Sequence, residues 1–427
     1  MPAAPAGAWS VTIDKLVPGG AGFARLPDGR SAFIDGALPG DRVSVEAWAT
    51  KKGYVEASRF RLETAGPERV EPPCPIAEAC GGCNWMALPY EAQLRYKAAL
   101  VVEALERTAR IKVAAPPEVV SAGGPLAYRL RVRLHVDERG RVGFFGRRTQ
   151  ELVEASACLV AARELSAPIA ALGALDETER STLGAHFAAV DLRAVPGGDV
   201  ELELEARADM EPRGAPVEAL VKTLSAHAHV GLGRRAGLRR YELPSGGFLR
   251  VPAGGFTQVN WAVNAALVAA VVDGALRHGA RSFLDLYAGV GNFTVPLVRA
   301  GLHGVAVELE RTAAAALRES LREQSLGGVE VLAGDVAGTL PRLSRKLRGV
   351  ELVLLDPPRS GAKAAVMPLV ALAPKNVVYV ACDPVTLARD LRGFLDAGFV
   401  LEELRCFDMF PQTHHVETLA WLRPARA

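Results

Sequence analysis

Cysteine is scarce, with six in 427 residues. That excludes a disulfide framework of the kind small extracellular domains use in place of a large core. Long apolar runs are missing too. The longest, "NAALVAAVVDGAL" at 264–276, is too short to span a bilayer, so no membrane association is expected. The opening "MPAAPAGAWSVTIDKL" has no basic start followed by an apolar core, so no signal peptide is expected and the cytoplasm is the expected compartment. Nor is there a surplus of either charge. Fifty Lys and Arg against 48 Asp and Glu leave a formal +2, so any contact with nucleic acid must come from local clustering. No repeat or low-complexity tract is present. What remains is a globular chain, 49% apolar and 23% charged, long enough for two or three domains and expected to be a monomer.

The texture changes along the chain. Residues 9–63 alternate short β-patterned runs with turn signals, which predicts a small barrel. A glycine- and proline-rich loop follows, "EPPCPIAEACGGCNWM", holding Cys74, Cys80 and Cys83. From Pro89, Leu94, Ala98, Val101, Val102 and Leu105 recur at helical spacing. Residues 127–153 read as strands around a "DERGR" hairpin tip, and β-patterned runs continue to about 250. From 256, buried-strand runs alternate with helical stretches, as in a doubly wound, mostly parallel sheet, and the chain ends in a terminal hairpin. The expected division is residues 1–64 as the small barrel and 65–85 with 119–250 as a central, mainly-β domain. Residues 86–118 with 251–427 make a Rossmann-like α/β domain.

Acids end the successive strands of the α/β part: Asp285 before Gly289 and Gly291, then Glu308, Asp335 and Asp356. Glycines in the first turn allow close backbone approach to a ligand, and Glu308 suits ribose hydroxyls. Thr294 stands where a dinucleotide site needs its third glycine. The pattern therefore fits S-adenosylmethionine better than NAD.

Two further features bear chemistry. In "VVYVACDPVTLARDL", Cys382 ends a buried strand at a helix start, with Asp383 as cap and Pro384 in the first turn. The helix dipole favours thiolate while Asp383 opposes it, and the same position suits an inert buried thiol. In "YRLRVRLHV", Arg129, Arg131 and Arg133 alternate along one strand face, and "GFFGRR" adds Arg147 and Arg148 beside Phe144 and Phe145. Cations for phosphate with aromatics for unstacked bases suit single-stranded or loop RNA.

"FTQVN", "DLYAGVGNFT", "DPPRSG", "VVYVACDP" and "PQTHHVETLAWL" occur in this order across almost the whole chain. In this the chain resembles the RNA uracil-5-methyltransferases, most closely the branch that modifies 23S ribosomal RNA and carries a [4Fe–4S] cluster. The resemblance implies an oligonucleotide-binding-type TRAM barrel, a central iron–sulfur domain and a class I methyltransferase domain that uses S-adenosyl-L-methionine. It implies Cys382 as nucleophile on uracil C6 and Glu417 as the base at C5. Gln258, Tyr287, Asn292, Glu308, Asp335 and Asp356 would form the cofactor pocket. His414 and His415 read as structural or phosphate-facing. The family often has Ser-Cys-Asn-Pro at the nucleophile, whereas this chain has Ala381-Cys382-Asp383-Pro384. A helix cap survives that change, but an amide contact to the substrate does not.

Alternatives within reach are tRNA uracil-5 methylation, RNA cytosine-5 methylation and a non-catalytic iron–sulfur RNA-binding protein. Cytosine enzymes carry a cysteine after the fourth strand, and here Asp356-Pro357-Pro358-Arg359 has none. The spacing of Cys74 and Cys80 also differs from that of radical S-adenosylmethionine enzymes. With Cys382 occupied and Cys406 on a late strand, Cys158 becomes the fourth ligand to Cys74, Cys80 and Cys83. Spacing alone allows zinc or a [4Fe–4S] cluster, and the resemblance implies the cluster, as a structural clasp between domains.

Overall fold

The structure, a computed structural model, describes residues 9–208, 210–233, 237–343 and 347–425. The first six strands pair in an order whose two edge strands are Trp9–Thr12 and Lys15–Leu16. Only two residues separate these edges, so the sheet closes on itself as a barrel around Val11, Ile13, Ala32, Ile34 and Val55. Leu16 and Leu38 extend from the barrel onto Trp85, Leu88 and Leu100, so barrel and helix Tyr90–Ala104 share a small core.

The central domain is a second six-stranded sheet, with strand Arg131–Val136 beside Phe187–Ala194. Three helices, Ser166–Gly173, Glu177–His186 and Ala215–Leu224, pack on it through Ile169, Leu172, Leu183, Val217 and Leu220. The sequence reading called this region mainly β and missed them. One signal was legible: Asp176 and Glu179 form a reciprocal capping box.

The third sheet has eight strands, in the order Val329–Ala333, His303–Glu308, Ser282–Leu286, Leu352–Leu355, Val377–Ala381, Glu417–Pro424, Phe399–Phe407 and Val119–Val120. Among these, Glu417–Pro424 runs antiparallel to both neighbours. Side chains alternate between two cores. Phe283, Leu419 and Trp421 fall on one face, and Leu284, Leu286, Ala420 and Leu422 on the other. Two expected boundaries shift. Val119–Val120 pairs with Phe399–Phe407, and the hairpin of Leu238–Glu242 with Phe248–Pro252 buries Tyr241, Leu249 and Val251 in the α/β core. Val119–Val120 and the hairpin as far as residue 250 had been assigned to the central domain, because their β-pattern does not reveal which sheet they join. Among the described residues no helix is long and apolar enough to cross a membrane.

Candidate active site

Strand order reverses on either side of Ser282–Leu286, the point at which open α/β sheets place a ligand crevice at the carboxyl ends of their strands. Asp285 is 1% exposed at this point. Thr294 Oγ1 donates to its Oδ2, while Oδ1 has no partner within the protein. Burial pushes Asp285 up to about 7, and the charges of Asp356 and Glu308 add to the shift. Tyr287 adopts a φ of +64°, left-handed backbone that a non-glycine residue rarely takes and that often marks a functional turn. Both oxygens of Glu308 hold backbone: Gly289 N donates to Oε2 and Glu310 N to Oε1, each at 2.7 Å. Each oxygen keeps capacity for a second donor such as a ribose hydroxyl. Asp335 accepts from Gly338 N at 2.8 Å, and its charge raises the Tyr287 phenol after burial does. Asn292 exchanges side-chain hydrogen bonds with Asn264 at 2.8 and 2.9 Å. Gln258 is 8% exposed, two residues before the Asn260 cap of helix Trp261–Arg277. Asp285 thus feels the charges of Asp356 and Glu308, and Tyr287 that of Asp335, across neighbouring strand ends.

A cleft lies beside these acids, since the charge of Asp356 reaches Cys382. Cys382, half-buried, shares the cleft with Arg359, Asp383, His414, His415 and Val416, and with Pro18 and Gly19 of the barrel. Asp383 accepts from Val385 N at 2.9 Å and Thr386 N at 2.8 Å, so the cap survives the departure from asparagine. The sequence left the sign of the thiol shift open, and the structure gives it as upward. Burial, then the charge of Glu417, drives Cys382 to about 11, with Asp356 and Asp383 adding and Arg359 opposing. Glu417 is 3% exposed, and burial followed by Asp356 holds its carboxyl far above the ordinary range. Burial therefore raises nucleophile and base candidates alike, and Glu417 lies close enough for its charge to act on Cys382.

Sequence reasoning missed Arg359, the cation in this cleft, which lies 3.4 Å from His415 Nε2. Its motif was quoted, but only its aspartate was given a role. Burial pulls His414 down to about 4 and His415 to about 3, so the pair is neutral and binds as hydrogen-bonding rings. His414 meets Asn84 Nδ2 at 2.9 Å.

Cys74, Cys83 and Cys158 pack around Ala77, Met86, Tyr128 and Val160. All six cysteines are free of disulfides. Burial raises Cys83 to about 12, and the charges of Cys158, Cys80 and Cys74 add to this, so the four expected ligands lie in one another's fields. Gly82 N donates to Cys80 Sγ at 3.4 Å. Among the described residues no three His, Cys, Asp or Glu stand in an arrangement that grips a single ion.

The expected RNA-facing set divides. Arg131 binds Asp191 through two nitrogens, and Arg133 binds Glu205. Their strand face is therefore charge-paired rather than cationic, because acids on the neighbouring strands oppose them. Phe144 packs on the central core and Phe145 is the exposed ring, stacked on His135 at 3.6 Å. Arg129, Arg147 and Arg148 instead converge with Arg359 on a polar groove that shares Gly19, His414 and His415 with the Cys382 cleft. Arg147 donates to Ala77 O at 2.9 Å, bracing the cysteine loop, and its Nε is buried without a partner. Arg148 lies 3.4 Å from Asp35.

Comparison with known proteins agrees with this geometry. Residues 247–425 match the model of the tRNA (Uracil-5-)-methyltransferase family, and residues 9–59 match the TRAM domain. An uncharacterized RNA methyltransferase of Streptomyces avermitilis is 35% identical, covering 98% of each chain. The 23S rRNA (uracil(1939)-C(5))-methyltransferase RlmD of Aeromonas salmonicida is 34% identical over 96% of this chain and 95% of its own. The crystal structure of the Pyrococcus abyssi tRNA (uracil-54, C5)-methyltransferase with S-adenosyl-L-homocysteine superposes with a TM-score of 0.75. It covers 97% of this chain and 100% of its own at 22% identity, a likeness of fold. With one third of its residues shared from end to end with such relatives, the chain belongs to the RNA uracil-5-methyltransferase family.

Proposed function

We propose that this protein transfers a methyl group to C5 of a uracil in 23S ribosomal RNA. The reading rests chiefly on Cys382 lining a cleft, within reach of the Glu417 charge and beside the acids that end the neighbouring strands. S-adenosylmethionine, when bound at those strand ends, supplies the methyl group. Uracil C5 is a weak nucleophile, so Cys382 as thiolate adds to C6 and the resulting enolate carries electron density to C5. After methylation, Glu417 removes the C5 proton, C5=C6 re-forms and the thiolate leaves. Asp285, Glu308, Asp335 and Asp356 orient the cofactor, with Gln258, Tyr287 and Asn292 around them. Attack on C6 needs an unstacked base, which suits a loop or a flipped nucleotide. Arg129, Arg148 and Arg359 then meet the flanking phosphates.

The target follows the sequence relatives. The rRNA enzyme is 34% identical, while the tRNA enzyme shares 22%. We infer too that Cys74, Cys80, Cys83 and Cys158 hold a [4Fe–4S] cluster. Four undisulfided thiols that repel one another as thiolates, beside the guanidiniums of Arg129 and Arg147, suit a group that carries several irons. Iron and sulfide analysis of anaerobically purified protein tests this, and stoichiometric zinc would overturn it. For the activity, purified protein is incubated with labelled S-adenosylmethionine and either ribosomal or transfer RNA, and the modified base is mapped. Label in 5-methyluridine of 23S RNA is expected. Label only in tRNA, or in cytosine, would overturn the assignment.

A further inference from the structure

Helix Tyr90–Ala104 carries none of the reacting groups, yet one face of it grips the loop that leads to Glu417. Tyr90, Gln93 and Lys97 follow at three- and four-residue intervals, so they form one row. Tyr90 Oη donates to Asp408 Oδ2 at 2.7 Å. Gln93 Nε2 donates to Gln412 Oε1 and Gln412 N donates back to Gln93 Oε1, both at 2.9 Å. Lys97 Nζ donates to Asp408 Oδ1, and to Phe410 O at 3.0 Å. Lys97 and Asp408 are an ion pair with both side chains 0% exposed. Gln412 has a φ of +67°, a conformation that persists only where its surroundings enforce it.

The grip bears directly on register. Asp408 follows Phe407, and Phe407 is the cross-strand partner of Glu417. A slip of one residue would turn Glu417 to the opposite face of the sheet. A buried ion pair is a poor device for stability alone, since a well-packed apolar pair serves as well or better. Its charges and hydrogen bonds do, however, define one geometry for the loop.

We propose that Lys97 is a positioning residue that, through Asp408, places Glu417 for the proton-removing half of the reaction. This rests on the role given above to Glu417. In that half-reaction the Glu417 carboxylate takes the C5 proton, the C5–H electron pair forms C5=C6, and the C6–Sγ bond breaks to release Cys382 as thiolate. Thiolate addition and methyl transfer precede this step. A displaced Glu417 therefore leaves a methylated, covalent protein–RNA adduct.

The test is the double variant Lys97→Met with Asp408→Leu, which leaves no lone buried charge. Labelled S-adenosylmethionine and substrate RNA are supplied, and label is followed in denaturation-resistant adduct and in released RNA. The expected result is a parental thermal midpoint and cofactor affinity, product release slowed roughly 10-fold to 100-fold, and accumulated adduct. Tyr90→Phe removes one bond to Asp408 but keeps the ion pair. It should show the same split more mildly, so loss of fold in the double variant leaves the proposal testable. Release at the parental rate, or slowed turnover without adduct, in a folded variant overturns the positioning role. Glu417→Gln in parallel separates the two readings, because failure of that variant to accumulate adduct overturns the role of Glu417 itself.

Discussion

Arg359→Gln should slow the alkylation of Cys382. Arg359 is the one cation among the leading influences on this thiol, acting against burial, Glu417, Asp356 and Asp383. Removing this cation raises a thiol that already stands at about 11. At such a value only about one molecule in a thousand is thiolate at pH 8, and alkylation runs through that fraction. Arg359 is exposed, so its influence is screened, and a rise of about half to one unit is a fair allowance. The thiolate fraction then falls roughly 3-fold to 10-fold. Greater intrinsic nucleophilicity at higher pKa returns part of this, leaving alkylation roughly 2-fold to 4-fold slower. The assay is peptide mass spectrometry of Cys382 after timed iodoacetamide treatment of ligand-free protein between about pH 7 and 10. The difference should narrow as salt is added. Equal or faster alkylation of the variant across that range would refute the electrostatic reasoning.

Asp285→Asn should stabilise the ligand-free protein, and more so as pH rises. An acid raised from 3.8 to about 7 by folding carries no penalty below its unfolded value. The penalty grows through the interval and reaches at most about 4 kcal/mol above it. A difference in thermal midpoint that stays constant from acid to alkaline pH would contradict this. Gly274→Ala should destabilise by about 1–3 kcal/mol, since its Cβ would lie 2.4 Å from Trp421 Cζ3. Trp421 cannot yield freely, because its Nε1 donates to Asn376 at 3.1 Å and His278 stacks on it at 4.7 Å. The helical preference for alanine, about 1 kcal/mol, recovers only part, and chemical denaturation reads the balance. Arg148→Ala should weaken RNA binding and lower the slope of affinity against salt by about 1, with Arg133→Ala closer to neutral. Equal slopes for both variants would contradict the division of arginines drawn from their partners.

The sheet was legible because strand ends, turns and acids coincide in short segments such as "FLDLYAGVG" and "VVYVACDP". Local chemistry also gave the Asp383 cap, since a cap depends on neighbours two and three residues away. What failed depended on strands brought together from afar. Arg131 and Arg133 look like a cationic face until Asp191, some 60 residues on, is placed against them. Phe144 is different. Val142 and Phe144 share a strand face by alternation, so its inward side was readable and Phe145 was the ring to choose. The upward shift of Cys382 was not readable, because it needs the burial that the assembled fold imposes and then the charge of Glu417 from a strand that pairs beside its own.

The distribution of charge explains how a chain with a formal +2 can hold two ligands of opposite sign. Acids gather at the strand ends, where burial raises Asp285 to about 7 and Glu417 well above the usual carboxylate range. A sulfonium placed there favours the ionised forms, and binding and ionisation assist each other. The groove on the other side of Cys382 gathers Arg129, Arg147, Arg148 and Arg359 against Asp35, a surplus suited to a phosphodiester chain. Cys382 sits where these fields meet: Asp356 and Glu417 resist its ionisation, and Arg359 assists it. Where the carboxylates of Asp356 and Glu417 are ionised they disfavour the thiolate, and a cationic cofactor beside them would weaken that opposition.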